Sequence, residues 1–352
     1  MYSWEKNIRT VEPYVPGEQP KETNIIKLNT NENPYGPSPR IASMKLDTDF
    51  LRKYPDPRAG MLVDKLAEYH GLSSDQVFVG VGSDDVLAMS FMTFFNSDKP
   101  ILFPDITYSF YDVWAEMLRI PYEKQPLDEN FNIVKEDYMK ENGGIIFPNP
   151  NAPTGILVDT DFIEDIVKNN PSSIVIIDEA YIDFGGTTAL PLIDKYDNLI
   201  VVRTFSKSRS MAGLRIGYAM ANPVLIKYLN DVKYSYNSYT MNTPSLILGS
   251  EIIDDEEYFR SVTGKVINTR ERFTKAIKEM GFTVLPSKAN FVFASHSTVP
   301  AKEILEKMKS QGVYFRYFNA PRIDNYLRIT IGTDEEMDKV VGLLSKICCA
   351  TN

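Results

Sequence analysis

The chain of 352 residues has a formal net charge of −9 at pH 7, with 43% hydrophobic and 24% charged residues. This composition excludes a disordered chain, and the acidic balance disfavours a general nucleic-acid or acidic-membrane partner. Two adjacent cysteines and two distant histidines support neither a disulfide framework, nor a metal site, nor a Ser-His-Asp hydrolase. Because the chain shows no signal peptide and no run of about 20 apolar residues, we expect a cytoplasmic protein.

The first two thirds of the chain have the pattern of an α/β domain. Residues 1–28 contain prolines and little periodicity, which predicts an extended N-terminal arm. Residues 29–240 alternate helical patterns with strand patterns, and these strands are predicted at 76–81, 100–104, 144–148, 172–178, 198–203 and 215–220. Nearly continuous apolar runs are typical of strands buried on both faces, so we predict a mostly parallel sheet covered by helices on each side.

The pattern changes after residue 240. A long helical pattern over 256–280 is followed by two strand patterns, a helix over 301–311, two further strands and a last helix. Thr333 and Glu336 have the spacing of a capping box at the start of that last helix. Since the length favours two domains, residues 241–352 are predicted to form a smaller α+β domain.

Ligands of open α/β sheets bind beyond the carboxyl ends of the strands, so the residues that follow predicted strands are candidate site residues. The sequence GVGSDD follows the first predicted strand. Its glycines permit close approach of the backbone, and Ser83 and Asp84 begin a helix whose free N–H groups suit a phosphate. The alternative is an ordinary tight turn in which one of these two side chains caps the helix.

Polar side chains also follow two strands further along the chain. The segment 149–155, NPNAPTG, is a rigid polar turn that either offers Asn149 and Asn151 to a ligand or is an ordinary loop. Asp178 follows four consecutive apolar residues, and a buried carboxylate needs a positive or hydrogen-bonding partner. A protonated heterocyclic nitrogen would serve, and so would a helix cap or an internal ion pair.

Lys207 follows the predicted strand at 198–203, where a solvated surface lysine is the plain alternative. Lysine forms Schiff bases, and Thr204, Ser206 and Arg215 could together hold a dianionic phosphate. A phosphate cradle, a buried aspartate and a lysine at a strand end have one economical joint explanation, which is pyridoxal 5′-phosphate.

The sequence resembles the class II, fold-type I aminotransferases, which depend on pyridoxal phosphate. The resemblance covers nearly the whole chain, and its motifs are VEPYVPG, IKLNTNENPYGPSP, RKYPDPRAG, GVGSDD, PNAPTG, IIDEAYIDF, TFSKSRSMAGLRIGY and YLRITIGT. The NENPYGP and LRITIGT segments are most similar to the histidinol-phosphate subfamily. The resemblance implies the fold-type I architecture and a homodimer with shared active sites.

The resemblance also implies a role for each matching position. Lys207 would carry the cofactor and move the substrate proton, Asp178 would pair with the pyridine nitrogen, and Tyr181 would bond the ring hydroxyl. The other cofactor contacts implied are Ser83, Asp84, Thr204, Ser206 and Arg215 at the phosphate, Tyr108 on the ring, and Tyr54 reaching the phosphate of the neighbouring subunit. The substrate contacts implied are Arg328 at the carboxylate, Arg316 with Tyr14 at the far end, and Asn31 in the same pocket.

One position departs from the family pattern. In much of the family, asparagine precedes the Pro-Thr-Gly turn and bonds the ring hydroxyl, whereas this chain has Ala152. Either Asn151 replaces that contact, or Tyr181 holds the hydroxyl alone.

The reaction implied is amino transfer from histidinol phosphate to 2-oxoglutarate, giving imidazole-acetol phosphate and glutamate in histidine biosynthesis. Three alternatives stay open on the sequence. An aromatic amino acid aminotransferase would share every cofactor residue, a decarboxylase of a phosphorylated amino acid would differ only in the bond that breaks, and a sensor would bind cofactor without turnover.

Overall fold

The computed structural model describes residues 2–348, and within them the chain forms thirteen strands and ten α-helices. The strands are β1 (Ile26–Lys27), β2 (Val77–Gly80), β3 (Ile101–Pro104), β4 (Tyr122–Gln125), β5 (Gly144–Pro148), β6 (Val175–Asp178), β7 (Leu199–Thr204), β8 (Gly217–Ala221), β9 (Phe282–Val284), β10 (Phe291–His296), β11 (Val313–Tyr314), β12 (Arg316–Tyr317) and β13 (Leu327–Thr330). The helices are α1 (Pro39–Ala42), α2 (Gly60–His70), α3 (Ser83–Phe94), α4 (Tyr111–Leu118), α5 (Thr160–Asn169), α6 (Pro223–Tyr236), α7 (Thr243–Ile253), α8 (Glu256–Glu279), α9 (Ala301–Ser310) and α10 (Asp334–Cys348). In this part of the chain, no helix combines the length and apolar character that crossing a bilayer requires.

Seven strands form the central sheet in the order β2-β8-β7-β6-β5-β3-β4. Neighbouring strands from β7 to β4 are parallel, whereas β8 is antiparallel to both β7 and β2. Six of the seven strands therefore point the same way, and their carboxyl ends meet at one edge. The predicted α/β fold with a mostly parallel central sheet is confirmed.

The apolar runs explain why the middle of this sheet is buried on both faces. Successive side chains of a strand point to opposite faces, so each run supplies two apolar layers. The register places one layer, Ile145, Val175 and Leu199, in an apolar cluster on one face. It places the next layer, Ile146, Ile176 and Ile200, in a separate cluster on the other face.

Three elements differ from the sequence-based prediction. Strand β4 was not predicted because it is a polar edge strand with Glu123 and Lys124 exposed, which hides the apolar signal of a sheet strand. The first of the two strands predicted after the helix over 301–311 is divided into β11 and β12, which belong to different sheets. Helix α7 was also missed, and it packs against α2 beside the central sheet.

Strands β12, β13, β10 and β9 form a smaller antiparallel sheet in that order, as the predicted α+β character of the C-terminal part requires. Its apolar cluster includes side chains of α8, α9 and α10. The predicted capping box opens α10, since the Thr333 N–H donates to Glu336 Oε2 at 2.8 Å and the Glu336 N–H donates to Thr333 Oγ1 at 3.2 Å. The end of the N-terminal arm joins this part of the molecule, because β1 pairs with β11. Domain boundaries at residues 28 and 240 stay a prediction.

Candidate active site

A cavity of about 240 Å³ lies at the carboxyl ends of the central strands. Pro148, Asp178 and Thr204, the last residues of β5, β6 and β7, all line it. Nine of the predicted site residues are brought together in its lining, namely Ser83, Asp84, Tyr108, Asp178, Tyr181, Thr204, Ser206, Lys207 and Arg215. The carboxyl ends of the parallel strands, where the sequence predicts a ligand site, therefore border a cavity.

One end of the cavity is built as an anion cradle. Gly82 has a φ of +85°, which a residue with a side chain rarely adopts, and α3 begins at the next residue with its first N–H groups free. A Cβ on Gly217 of β8 would lie 2.2 Å from the Ser83 nitrogen, so glycine is required for the strand to approach this turn. Arg215 Nη2 lies 3.1 Å from Asp84 Oδ2, which adds a cation to the positive end of the helix dipole.

Two hydroxyl groups complete this end. The Thr204 hydroxyl donates to Ser206 Oγ at 3.0 Å, and both side chains are buried at the end of β7. On the other side, the Tyr108 hydroxyl donates to Asp84 Oδ1 at 2.6 Å. Burial and the Asp84 carboxylate raise the pKa of Tyr108 well above its usual value, so this hydroxyl keeps its proton. The cradle therefore offers backbone N–H groups, hydroxyls and a guanidinium to an anion.

Asp178 is buried at the end of β6. The Tyr111 hydroxyl donates to its Oδ2 at 3.2 Å, and the Ala180 N–H donates to its Oδ1 at 3.1 Å. Burial raises the pKa of Asp178 from 3.8 to about 7, because these two hydrogen bonds replace only part of the lost hydration. Among residues 2–348, no cation forms a salt bridge with this carboxylate, so a ligand with a positive or N–H group would complete its surroundings.

Lys207 lies just beyond β7 with its ammonium in the cavity. Its Nζ donates to the Thr30 carbonyl oxygen at 3.3 Å and lies 5.7 Å from the centre of the Tyr181 ring. The lysine backbone is held from the other side, because Asn33 Nδ2 donates to the Lys207 carbonyl at 3.1 Å. The amine is thus held beside the Tyr181 ring, and among residues 2–348 the Thr30 carbonyl is its one hydrogen-bond partner.

The Tyr181 hydroxyl accepts a hydrogen bond from Asn31 Nδ2 at 2.9 Å, which connects Tyr181 to the smaller antiparallel sheet. Asn31 has a φ of +56° and is itself bound to Thr330 of β13, whose hydroxyl donates to Asn31 Oδ1 at 3.0 Å. The Tyr181 ring meets Phe291 edge-on at 5.1 Å. These contacts fix the orientation of the Tyr181 hydroxyl toward the cavity.

Arg328 and Arg316 lie on adjacent strands of the smaller sheet, where their backbones are paired. Arg328 Nη2 donates to the Asn29 carbonyl at 3.2 Å, and its Nε is buried with no partner among the described residues. Burial lowers the pKa of this guanidinium, and the neighbouring Arg316 charge lowers it further. An orphaned N–H on a buried cation indicates a place for an anion. Arg316 donates to the Val15 and Pro16 carbonyls of the arm.

Six predicted residues do not line the cavity: Asn31, Arg316 and Arg328, placed above, and Tyr54, Asn151 and Tyr14. Tyr54 is 83% exposed and its ring lies 4.7 Å from that of Tyr239, so within one chain it contacts no cofactor site residue. Asn151 is buried, and its amide group bonds the Ile106 carbonyl and the hydroxyls of Thr107 and Thr154. Tyr14 stacks on Phe110 with ring centroids 4.3 Å apart, and Phe110 in turn lies 5.6 Å from the ring of Tyr108, which lines the cavity.

Several lining or supporting residues were not selected from the sequence. Thr30 and Glu32 line the cavity, and the NTNENP stretch that contains them was recognised only for Asn31. Tyr111, the donor to Asp178, lies at the start of α4 and has no motif that marks it. Ala152 lines the cavity where an asparagine side chain was expected, so the wall is apolar at that point.

The sequence matches the family described as aminotransferase class I and II over residues 23–344. The histidinol-phosphate aminotransferase of Lactococcus lactis subsp. lactis (strain IL1403) is 51% identical over 344 residues, which are 97% of this chain and 96% of that protein. Histidinol-phosphate aminotransferase 1 of Hydrogenovibrio crunogenus (strain DSM 25203 / XCL-2) is 51% identical over 352 residues and 99% of each chain.

A solved structure supports the same fold. The histidinol-phosphate aminotransferase from Sinorhizobium meliloti, in complex with pyridoxal 5′-phosphate, superposes with a TM-score of 0.84 at 22% identity, covering 93% of this chain and 92% of that one. Together, the fold and the site define an enzyme of the aminotransferase class. The chain belongs to the class I and II aminotransferase family.

Proposed function

We propose that this protein is a pyridoxal-phosphate-dependent aminotransferase that moves the amino group of histidinol phosphate to 2-oxoglutarate, a step of histidine biosynthesis. The observation that carries the proposal is that Lys207, Asp178 and the anion cradle at Ser83 line one cavity. The names of relatives about half identical over the whole chain supply the substrate.

The residues of the cavity fit pyridoxal phosphate at three points. The cradle suits its phosphate, the buried Asp178 lacks the cation that a protonated pyridine nitrogen would provide, and Lys207 offers an amine to its aldehyde. When bound, the cofactor supplies an aldehyde that binds amines covalently and a ring that takes up electrons. Tyr108 lies on the wall from which it would stack on that ring.

Lys207 is the residue that would move the proton. Its amine would be available to remove a proton from the substrate Cα, because among residues 2–348 it bonds only the Thr30 carbonyl. Asp178 would stay ionised opposite a pyridinium and thereby favour electron withdrawal from the substrate. Tyr181 lines the cavity and would bond the ring oxygen, since the Asn151 amide bonds the Ile106 carbonyl and the Ala152 side chain has no polar group.

Histidinol phosphate has no carboxylate, so its phosphate must occupy the place that a carboxylate takes in the other half-reaction. Arg328 and Arg316 beside it suit both groups, because a guanidinium can bind either phosphate or carboxylate through two parallel hydrogen bonds, and the Arg328 Nε has no partner among the described residues. Asn31 is bound to Thr330 on the strand that carries Arg328, and Tyr14 acts electrostatically on Arg328, so both would line the same end.

A homodimer is part of the proposal. Tyr54 lies on the exposed surface and does not line the cavity of its own chain. In a dimer, its hydroxyl would reach the cofactor phosphate in the site of the neighbouring subunit. Tyr228, Tyr234, Tyr236 and Tyr239 are also exposed, which is unusual for aromatic side chains of an isolated chain.

The test is an absorbance scan of the cofactor-loaded protein without any oxo acid. Histidinol phosphate is added to one sample and phenylalanine to another, and conversion to the pyridoxamine form is followed. Rapid conversion by histidinol phosphate alone supports the proposal. Faster conversion by phenylalanine would make the protein an aromatic aminotransferase, and no conversion by either would favour a decarboxylase or a sensor.

A further inference from the structure

A small polar cluster at the cavity wall holds one carboxylate in a fixed position. Lys27 Nζ donates to Glu32 Oε2 at 2.5 Å, and the Thr30 hydroxyl donates to the same oxygen at 2.8 Å. Lys27 also donates to Thr30 Oγ1 at 2.6 Å, which closes a three-residue ring of contacts. The other oxygen, Oε1, receives no hydrogen bond from any of residues 2–348. This carboxylate therefore has one anchored and one available oxygen.

The cluster is adjacent to the reacting amine. Thr30 and Glu32 both line the cavity, and the Thr30 carbonyl is the acceptor for Lys207 Nζ at 3.3 Å. The next residue, Asn33, ties the segment to the lysine loop through its bonds to the carbonyls of Lys207 and Ser208. Glu32 thus faces the volume where a substrate attached near Lys207 must extend.

The carboxylate is ionised and accessible. Burial alone would raise the pKa of Glu32, but the hydrogen bonds from Lys27 and Thr30 and the nearby ammonium groups outweigh it and lower the pKa. Its side chain keeps 48% of its exposure, so a ligand can reach it. The two other carboxylates that line the cavity are committed, because Asp84 bonds Tyr108 and Arg215 and Asp178 is buried against Tyr111.

We propose that Glu32 Oε1 accepts a hydrogen bond from an imidazole N–H of the amino substrate and so selects histidinol phosphate over substrates with a benzene ring. This inference rests on the proposed function. An imidazole carries at least one N–H in any protonation state, whereas a phenyl ring has no donor to offer. With a phenyl ring, the charged oxygen would lose water without gaining a partner, which is how a polar site rejects an isosteric ring.

The matched variant is E32Q, compared with E306Q, the same change at an exposed position of α9. In E32Q the donors Lys27 and Thr30 would bind the amide oxygen and leave the amide N–H₂ facing the ring. A charged acceptor would then be replaced by a neutral donor, which the imidazole can meet only as the neutral tautomer that accepts. We expect kcat/KM for histidinol phosphate to fall about 10- to 100-fold, the usual range for a lost hydrogen bond to a charged group. E306Q should match the wild type.

The comparison substrate is phenylalaninol phosphate, which keeps the amine and phosphate and replaces only the ring. Its kcat/KM should change less than about threefold in E32Q, so the preference between the two substrates collapses. Equal losses on both substrates would overturn the inference, because Glu32 would then act on the common amine or on Lys207. Unchanged kinetics on both would overturn it as well.

A binding measurement separates recognition from turnover. Imidazole-acetol phosphate does not react with the pyridoxal form, so calorimetric titration measures its affinity alone. The affinity should fall in E32Q and in E32A, a second variant that removes the carboxylate without adding a donor. Unaltered affinity in both would contradict the inference. A wild-type protein that does not convert histidinol phosphate at all would instead contradict the proposed function. Measuring the wild type first therefore distinguishes the two failures.

Discussion

The Tyr111 hydroxyl donates a hydrogen bond to Asp178 Oδ2 at 3.2 Å, and both side chains are buried. A neutral donor stabilises the carboxylate less than a cation does, so the pKa of Asp178 remains raised to about 7 in the chain without cofactor. The site is therefore built around a charge that is incompletely compensated until a positive ligand arrives. This relationship connects folding stability with cofactor binding.

The first prediction concerns the stability of the cofactor-free protein against pH. The folded chain keeps the Asp178 proton up to about pH 7, while the unfolded chain releases it near the ordinary value of 3.8. Between these values the folded state binds more protons, so its stability falls as pH rises through this window, by up to roughly 4 kcal/mol. D178N lacks this titration, and its free energy of unfolding should exceed that of the wild type increasingly from pH 4 to 7.

The measurement is urea unfolding of both proteins at several pH values, with D324N as an exposed control. Loading with pyridoxal phosphate should shrink the difference, because the pyridinium pairs with the wild-type carboxylate. Parallel stability curves for wild type and D178N would show that Asp178 titrates normally. In the same variant, transamination should fall by orders of magnitude while the fold is kept.

The second prediction concerns covalent attachment at Lys207. In K207A the cofactor has no protein amine to bind and the substrate proton has no acceptor, so kcat should fall at least about 1000-fold. Borohydride reduction followed by mass spectrometry should add the cofactor to the wild type and to K227A, an exposed surface control, but not to K207A. Turnover retained by K207A would contradict the assignment of Lys207 as the residue that binds the cofactor and moves the substrate proton.

Most of the cofactor end of the site was predictable from the sequence, because it is made by residues that immediately follow apolar strands. Ser83, Asp178 and Lys207 are each fixed by the end of a strand, and parallel strands bring those ends together. Glu32 and Tyr111 were not predictable in the same way. The Tyr111 contact with Asp178 is long-range, and Glu32 reaches the cavity because Asn31 and Asn33 beside it bind Thr330 and the Lys207 carbonyl. Neither residue comes directly after a strand of the central sheet.

The direction of a strand and the surroundings of an exposed side chain also depend on partners that are distant in sequence or lie in another chain. Strand β8 is as apolar as the other strands of the central sheet, so its composition does not reveal its direction. Its pairing with β2 and β7 shows that it is antiparallel to both. For Tyr54, one chain shows an exposed ring against Tyr239, and the rest of its environment would come from a second chain.

The third prediction tests that second chain. Y54F removes one hydroxyl from a residue outside its own cavity, so any effect on the cofactor must pass through a partner. We expect faster release of pyridoxal phosphate during dialysis, with the sedimentation coefficient the same as that of the wild type. Y236F, at another exposed tyrosine, is the control. Identical retention by Y54F and wild type would argue against shared sites.

The fourth prediction separates the two arginines at the substrate end. Arg328 has the buried, unpartnered Nε, so R328A should weaken both half-reactions, with kcat/KM for histidinol phosphate and for glutamate falling about 100-fold or more. R328K should restore little, since an ammonium cannot reproduce the planar two-pronged contact. R260A, at an exposed arginine of α8, should match the wild type.

Arg316 should act more selectively than Arg328. It is bound to the Val15 and Pro16 carbonyls of the arm and does not line the cavity around Lys207, so we expect it to contact the far end of the substrate. R316A should reduce kcat/KM for histidinol phosphate about 10- to 100-fold and that for phenylalanine by much less, because the dianionic phosphate loses more from a missing guanidinium. Pre-steady-state conversion of the loaded enzyme with each amine measures both values. Equal losses for the two amines would show that Arg316 does not read the phosphate and that Arg328 alone binds it.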